Sequence, residues 1–207
     1  MIRKREATEA RLIKAMGEVL AEKGFGGVGV NAVARQAGVD KVLIYRYFDG
    51  LDGLMTAYAQ SEEFWPPKSE ILGEGASYEA LRALSFSKII GEVFRRYAKA
   101  LRSRPLTLEI MAWETVERNT LTIALEKARE RSGLELMAHL NEVNAPNADW
   151  QAIANIFSGA IHYLAIRARK IDTFTGMDLN DELSWGRLID SMETLVHGMD
   201  DRANKDS

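Results

Sequence analysis

Apolar residues recur at helical spacing through most of the chain. Leu12, Ala15, Met16, Val19 and Leu20 follow one another at i, i+3, i+4, i+7 and i+8, with Lys14, Glu18 and Glu22 between them. That pattern predicts a helix with one buried stripe, stopped by Gly24. Gly24, Gly26, Gly27 and Gly29 then make a flexible connection to a second helix over Asn31–Ala37. Gly38 and Val39 form a tight turn, and Asp40 caps a third helix over Lys41–Phe48. Asp49 and Asp52 resemble a capping box, though that box normally carries Glu or Gln at its second position, and they open a fourth helix running to about Phe64.

Pro66, Pro67, Gly73 and Gly75 break the periodicity, which places a domain boundary in residues 60–77 and divides the chain into 1–60 and 61–207. A long helix from about Tyr78 carries Phe86, Ile90, Val93, Phe94, Tyr97 and Leu101 on one face and ends before Pro105. Further helices follow over Leu106–Val116, Thr120–Asn144, Asp149–Arg169 and Glu182–Met199. Pro146 and Asn147 lead into the third of these, and a Thr/Gly/Asp-rich loop over 172–181 precedes the last. No alternating pattern of useful length appears. The expected fold is all-α, a small N-terminal helical domain followed by a larger helical one.

Composition narrows the chemistry. A chain of 207 residues, 46% hydrophobic and with net charge −3, suits one globular unit or a core with a small appended domain. It can bury roughly 70% of its unfolded surface without a crosslink. No cysteine is present, which removes disulfides, thiolate metal sites and a Cys nucleophile. Residues 1–11 are charged rather than apolar, against a signal peptide. The 17-residue stretch Trp150–Ile166 holds Gln151, Asn155, Ser158 and His162, too short and too polar for a membrane span. A cytoplasmic protein is expected. Charge is uneven: residues 1–60 carry nine Lys/Arg and seven Asp/Glu, and the rest eighteen and twenty-three. The asymmetry is mild, and it says only where a polyanion would dock if one docks, on the N-terminal part.

Residues 30–48, VNAVARQAGVDKVLIYRYF, are the informative segment. A helix-turn-helix needs a small residue where its helices cross, a residue tolerating left-handed backbone in the turn, and apolar residues locking the second helix. Ala34, Gly38, Val39 and Ile44 supply these. Two short core helices joined by a glycine turn would give the same spacing.

The fuller pattern AxxAGVxKxxIYxYF over Ala34–Phe48, preceded by a helix, Gly24-Phe25 and a glycine-containing link, resembles the DNA-binding domain of the TetR family of transcriptional regulators. The resemblance covers residues 8–60. It implies a homodimer with a three-helix DNA-reading head, a connecting fourth helix and a variable helical body, acting as a ligand-responsive regulator and most simply a repressor. The duplex it implies is pseudo-palindromic, with recognition helices roughly 34–36 Å apart or a small multiple of that. Carried over residue by residue, the DNA contacts are Asn31, Lys41, Val42, Tyr45, Arg46 and Tyr47. Lys41 suits a phosphate, the hydroxyls of Tyr45 and Tyr47 suit backbone oxygens, and Arg46 suits a guanine or a phosphate. Ile44 and Phe48 belong to the core. Tyr45 as a core aromatic and Arg46 as a solvated charge remain alternatives, as do an arm or a frayed end for Arg3-Lys4-Arg5. Three positions depart from the family pattern by losing polar contacts: Val28-Gly29 stands in place of a Thr or Ser cap, Leu43 in place of a Thr, and Leu51 in place of a Lys.

The resemblance further implies that the last two helices pair with their mates in a four-helix bundle. The helix Asp149–Arg169 is apolar nearly all round, so it needs cover on more than one side. Ser158, Gly159 and Ala160 permit close approach, and Met199 extends the stripe of the last helix. The expected interface is Trp150, Phe157, Ile161, Leu164, Ile189, Met192, Leu195 and Val196, with a central helix inside one subunit as the alternative. The body would hold a largely apolar small-molecule effector. Candidate lining residues are Phe86, Ile90, Phe94, Tyr97, Met111, Trp113, Glu114, Asn155, His162 and Tyr163, each also readable as core. Burying Asn155, His162 or Glu114 without a partner costs on the order of 1–3 kcal/mol, which favours a ligand role for them. No cofactor or metal is expected.

An enzyme is the main rival. His139, His162 and His197 lie 23 and 35 residues apart, and the chain has no HxxxH, phosphate-binding glycine loop or GxSxG. The adjacent Glu62 and Glu63 read as a solvated helix end. A helical dimer whose head binds protein is a third class, which salt-dependent DNA binding would separate from a regulator.

Overall fold

The computed structural model describes residues 2–62, 64–141 and 149–203. Among the described residues there are eleven helices: α1 (Ile2–Lys23), α2 (Val30–Ala37), α3 (Val42–Phe48), α4 (Leu51–Ala59), α5 (Lys68–Leu72), α6 (Ala76–Arg82), α7 (Phe86–Arg102), α8 (Pro105–Glu114), α9 (Thr120–Asn141), α10 (Trp150–Arg167) and α11 (Glu182–Ala203). The chain forms two compact units, Met1–Trp65 with Glu109–Arg131, and Pro66–Leu108 with Ser132–Ser207.

In the first unit α1 is the post on which α2 and α4 pack, and α3 packs on α4. Leu12, Met16 and Val19 are buried along α1, as their spacing predicts, together with Val33, Ala34, Ile44 and Leu54. The glycine link holds a short 3-10 turn over Phe25–Gly27. Gly38 takes φ 62, and the amide of Val39 reaches back to the Ala34 carbonyl at 3.0 Å, the left-handed closure expected of the turn. Asp40 accepts the Val42 amide at 2.8 Å.

The expected capping box at Asp49 does not form. Asp49 lies at φ 59 and ends α3, so it is already committed to left-handed backbone, and Gly50 at φ 107 precedes α4 in its place. The corner is tight: a Cβ on Gly53 would lie 1.6 Å from the Phe48 carbonyl oxygen. α4 ends at Ala59 rather than near Phe64, because the chain turns at Gln60-Ser61, where the Ser61 hydroxyl donates to the Tyr58 carbonyl at 2.7 Å.

In the second unit α7 is central and packs against α5, α6, α10 and α11. The expected unbroken helix from Tyr78 is two helices, because Ser85 takes an extended backbone (ψ 156) and restarts the helix at Phe86. The break expected over residues 60–77 contains the five-residue α5. Three ion pairs tie α7 to α11: Lys88 to Glu193 at 2.6 Å, Arg95 to Asp190 at 2.9 Å and Arg102 to Glu182 at 2.6 Å. Gly91 keeps the helices close, since a Cβ there would meet the Glu193 carboxylate at 2.4 Å.

Asp149 caps α10 by accepting the Ala152 amide at 3.0 Å. The loop before α11 contains a small hairpin, Thr173–Phe174 paired antiparallel with Met177–Asp178. Thr175 and Gly176 at its tip both have positive φ, 49 and 77, as a type I′ turn requires. The fold remains all-α apart from this hairpin. Pro146, Asn147 and Glu63 lie outside the described residues. Among the described residues no helix is long and apolar enough to cross a membrane.

Candidate functional site

Helix α3 is seven residues long, and its inward anchor is the fully buried Ile44. Pinning that residue inward turns Lys41, Val42, Tyr45 and Arg46 outward, since they stand one turn apart on the opposite face. Val42 is 51% and Tyr45 57% exposed, so Tyr45 is not a core aromatic. Asn31 at the start of α2 is exposed as well, whereas Tyr47, Phe48 and Leu43 are half-buried. Gly29 precedes α2 with no side-chain cap, as the missing Thr or Ser implies. Leu51 is half-buried at the first position of α4.

The backbone of the N-terminal basic run is helical, since α1 starts at Ile2. Arg5 donates from Nε to Glu9 at 2.8 Å, and its guanidinium carbon lies 5.1 Å from the centre of the Tyr47 ring. Periodicity gives no sign of this contact.

The second unit contains a narrow apolar crevice with little free space in its interior. It is lined by Phe86, Ile90 and Phe94 from α7, Met137 and Leu140 from α9, and Trp150, Ile153, Ala154 and Phe157 from α10. The rings of Phe86 and Trp150 meet edge to face at 4.4 Å, and those of Phe94 and Phe157 at 5.5 Å. Of the ten expected lining residues, Phe86, Ile90 and Phe94 are brought together here. Tyr97 lies one turn further along α7, hydrogen-bonded to His162.

The other candidates go elsewhere. Asn155 is exposed, because α10 turns the opposite face toward α7. Tyr163 is also exposed and packs edge to face on Phe174 of the hairpin at 5.5 Å. Met111, Trp113 and Glu114 belong to the first unit, where the Trp113 ring lies 5.3 Å from Phe25 and Glu114 pairs with Arg129. Glu114 thus has the partner that the sequence reading left open. Its second oxygen, Oε1, is buried with no hydrogen-bond partner, and burial pushes the carboxyl above its ordinary value against the opposing pull of Arg129.

The residues expected between subunits divide in the same way. Trp150, Phe157, Ile161, Leu164, Ile189, Met192 and Val196 are buried within one chain, with Trp150 and Phe157 in the cavity wall. Leu195 is 62% exposed, and on α10 Ile156 is uncovered at 68%. The stripe that packs on α7 is therefore not the stripe left open. Met137 and Leu140, which sequence reasoning missed, lie on a helix whose apolar residues show no single face.

The head matches the family described as bacterial regulatory proteins, tetR family, over residues 12–58. Two HTH-type transcriptional regulators of Mycobacterium tuberculosis, from strains CDC 1551 and H37Rv, are each 32% identical over 60 residues, 29% of this chain and 30% of theirs. The match thus spans under a third of those relatives' length. Likeness of fold extends further. A TetR-family regulator from Rhodococcus sp. superposes with a TM-score of 0.65 at 17% identity, covering 91% of this chain and 98% of that one. The regulator FadR of Bacillus subtilis, solved in complex with stearoyl-CoA, gives 0.62 at 16% identity, covering 90% and 96%. The helix-turn-helix head, residues 12–58, thus carries the signature of the TetR family of bacterial regulatory proteins, and the chain as a whole shares its fold with solved regulators of that kind.

Proposed function

We propose that this chain is a cytoplasmic DNA-binding transcriptional regulator, most simply a repressor, that acts as a homodimer on a pseudo-palindromic duplex and is released by a small, largely apolar molecule. The outward face of α3 carries the reading. A valine and a tyrosine more than half exposed beside Lys41 and Arg46 have no use in an isolated head. A major groove gives each a partner: thymine methyls for Val42, backbone oxygens for Tyr45 and Lys41, and a guanine edge for Arg46. Dimerisation is supported by the open apolar positions Ile156 and Leu195 on α10 and α11, which a second copy would cover.

The effector reading rests on a cavity whose nine lining residues are all apolar. The stearoyl-CoA of the FadR complex has an acyl chain, and these walls suit that chemistry. The Tyr97–His162 pair, one turn beyond Phe94, supplies a polar end for a ligand that bears one.

Selection of bound sites from a pool of random duplexes tests the DNA reading, and two inverted half-sites are expected. Arg46→Ala should then weaken binding by about 1–3 kcal/mol, unequally across variants of the site. Equal loss on every sequence reduces Arg46 to a phosphate contact, and no enrichment at all favours a head that binds protein. For the effector, a ligand found by calorimetry should shift site affinity by about 1–3 kcal/mol. Unchanged affinity rejects that ligand as the effector.

A further inference from the structure

We propose that Arg5 is a phosphate-binding residue of the DNA interface and that the Tyr47 ring is the platform holding it there. The inference rests on the DNA-binding reading above and adds a contact that the sequence motif does not contain. Arginine has five N–H donors in a rigid fork. Here the one on Nε is turned back to Glu9 at 2.8 Å, and the guanidinium sits over the Tyr47 ring at 5.1 Å, within cation–π range. Both Nη groups remain without an acceptor among the described residues. The side chain is 59% exposed, so the fork is oriented and open at once.

Its position fits a phosphate rather than a base. Tyr47 lies two residues beyond Tyr45, on the flank of α3 rather than on the face formed by Lys41, Val42, Tyr45 and Arg46. A helix seated in the major groove meets base edges with its outer face and sugar-phosphate backbone along its flanks. A bidentate cation on that flank suits phosphate oxygens. Arg5 supplies one full charge from a different helix.

The ring, not the hydroxyl, is then what matters at Tyr47. Glu9 competes with phosphate for Arg5 and partly neutralises it, so Glu9 weakens DNA binding while it orients the fork.

The test uses the full-length protein and a random-sequence duplex about two helical turns long, with anisotropy read at salt between about 50 and 200 mM. Arg5→Ala removes one cation from each subunit of the dimer and should make the slope of log affinity against log salt shallower by about 1.8, so its deficit at the low end is about twelve times that at the high end. Tyr47→Phe should bind within twofold of wild type, Tyr47→Leu should lose part of what Arg5→Ala loses, and Glu9→Gln should bind more tightly. Circular dichroism melts check that each variant is folded. Wild-type binding with an unchanged slope for Arg5→Ala overturns the proposal and leaves the DNA reading intact. A Tyr47→Phe loss equal to that of Arg5→Ala overturns the platform and returns the contact to the hydroxyl. A wild-type protein that binds no duplex at the lowest salt overturns both.

Discussion

The first and second units use their apolar residues differently. In the head, buried residues serve mainly to orient α3: Ile44 is fully buried so that Val42 and Tyr45, two residues before and one after it, stand out in solvent. In the body, apolar residues face one another across a cavity, and Phe86, Phe94, Trp150 and Phe157 are at once core and wall. A head built this way displays a fixed surface. A body built this way keeps its apolar surfaces turned on one another.

The comparison predicts a division of labour. Ile44→Ala and Ile161→Ala each delete a side chain with no exposed surface, and each should cost about 2–5 kcal/mol in urea unfolding. Only Ile44→Ala should also abolish binding to random-sequence DNA under conditions where both variants are folded. Equal loss of DNA binding from Ile161→Ala breaks the comparison.

Gly53 sharpens it within the head. A methyl there runs into the Phe48 carbonyl, so Gly53→Ala should force the α3–α4 corner open at about 1–3 kcal/mol. Thermal melts measure that cost, and an unchanged midpoint would show that the corner has slack.

Leu51→Lys tests the head by adding rather than removing. It restores a charge at the first position of α4, where free amides and the helix dipole already favour a phosphate oxygen. Binding to all duplexes should tighten, with a salt slope steeper by about 1.8, one phosphate for each subunit of the dimer. Because Leu51 is half-buried, a lowered melting temperature without tighter binding would mean that its packing matters more than its reach.

The smallest expected effect concerns Glu114. Its carboxyl is raised by burial, so the folded chain holds that proton more readily than the unfolded one. Its contribution to stability is therefore best at acid pH and declines as pH rises through the window from the ordinary carboxylate value to the raised one. Glu114→Gln should gain on wild type in melting temperature between acid and neutral pH. A variant that loses ground over that range would show that the Arg129 pairing outweighs burial.

The head was legible in the sequence because its constraints are local. Gly38, Asp40 and Ile44 act within a few residues of themselves, and the spacing of types carries the geometry. The same local reading failed at Asp49, where ending α3 and capping α4 are competing uses of one residue. It failed again at Ser85, where a restart needs only one extended residue in an otherwise helical run. The cavity was half legible. Periodicity found Phe86, Ile90 and Phe94 on α7, but α10 is apolar nearly all round and so has little phase to read. Only packing on α7 decides that Phe157 turns inward and Ile156 outward. Arg5 and Tyr47 are 42 residues apart, and neither is unusual in its own neighbourhood.

Lys88, Arg95 and Arg102 stand seven residues apart on α7, each facing a carboxylate of α11. Apolar helices tolerate sliding, because one aliphatic contact replaces another at little cost. Charges at fixed intervals do not, since a slip of one turn carries every partner about 5.4 Å out of place together. Exposed pairs like these add little stability, about 0–1 kcal/mol each, but they act as the teeth of a rack and set a single alignment. A ligand that parts the cavity wall beside Phe94 would then turn α7 and α11 as one bar instead of letting one glide along the other.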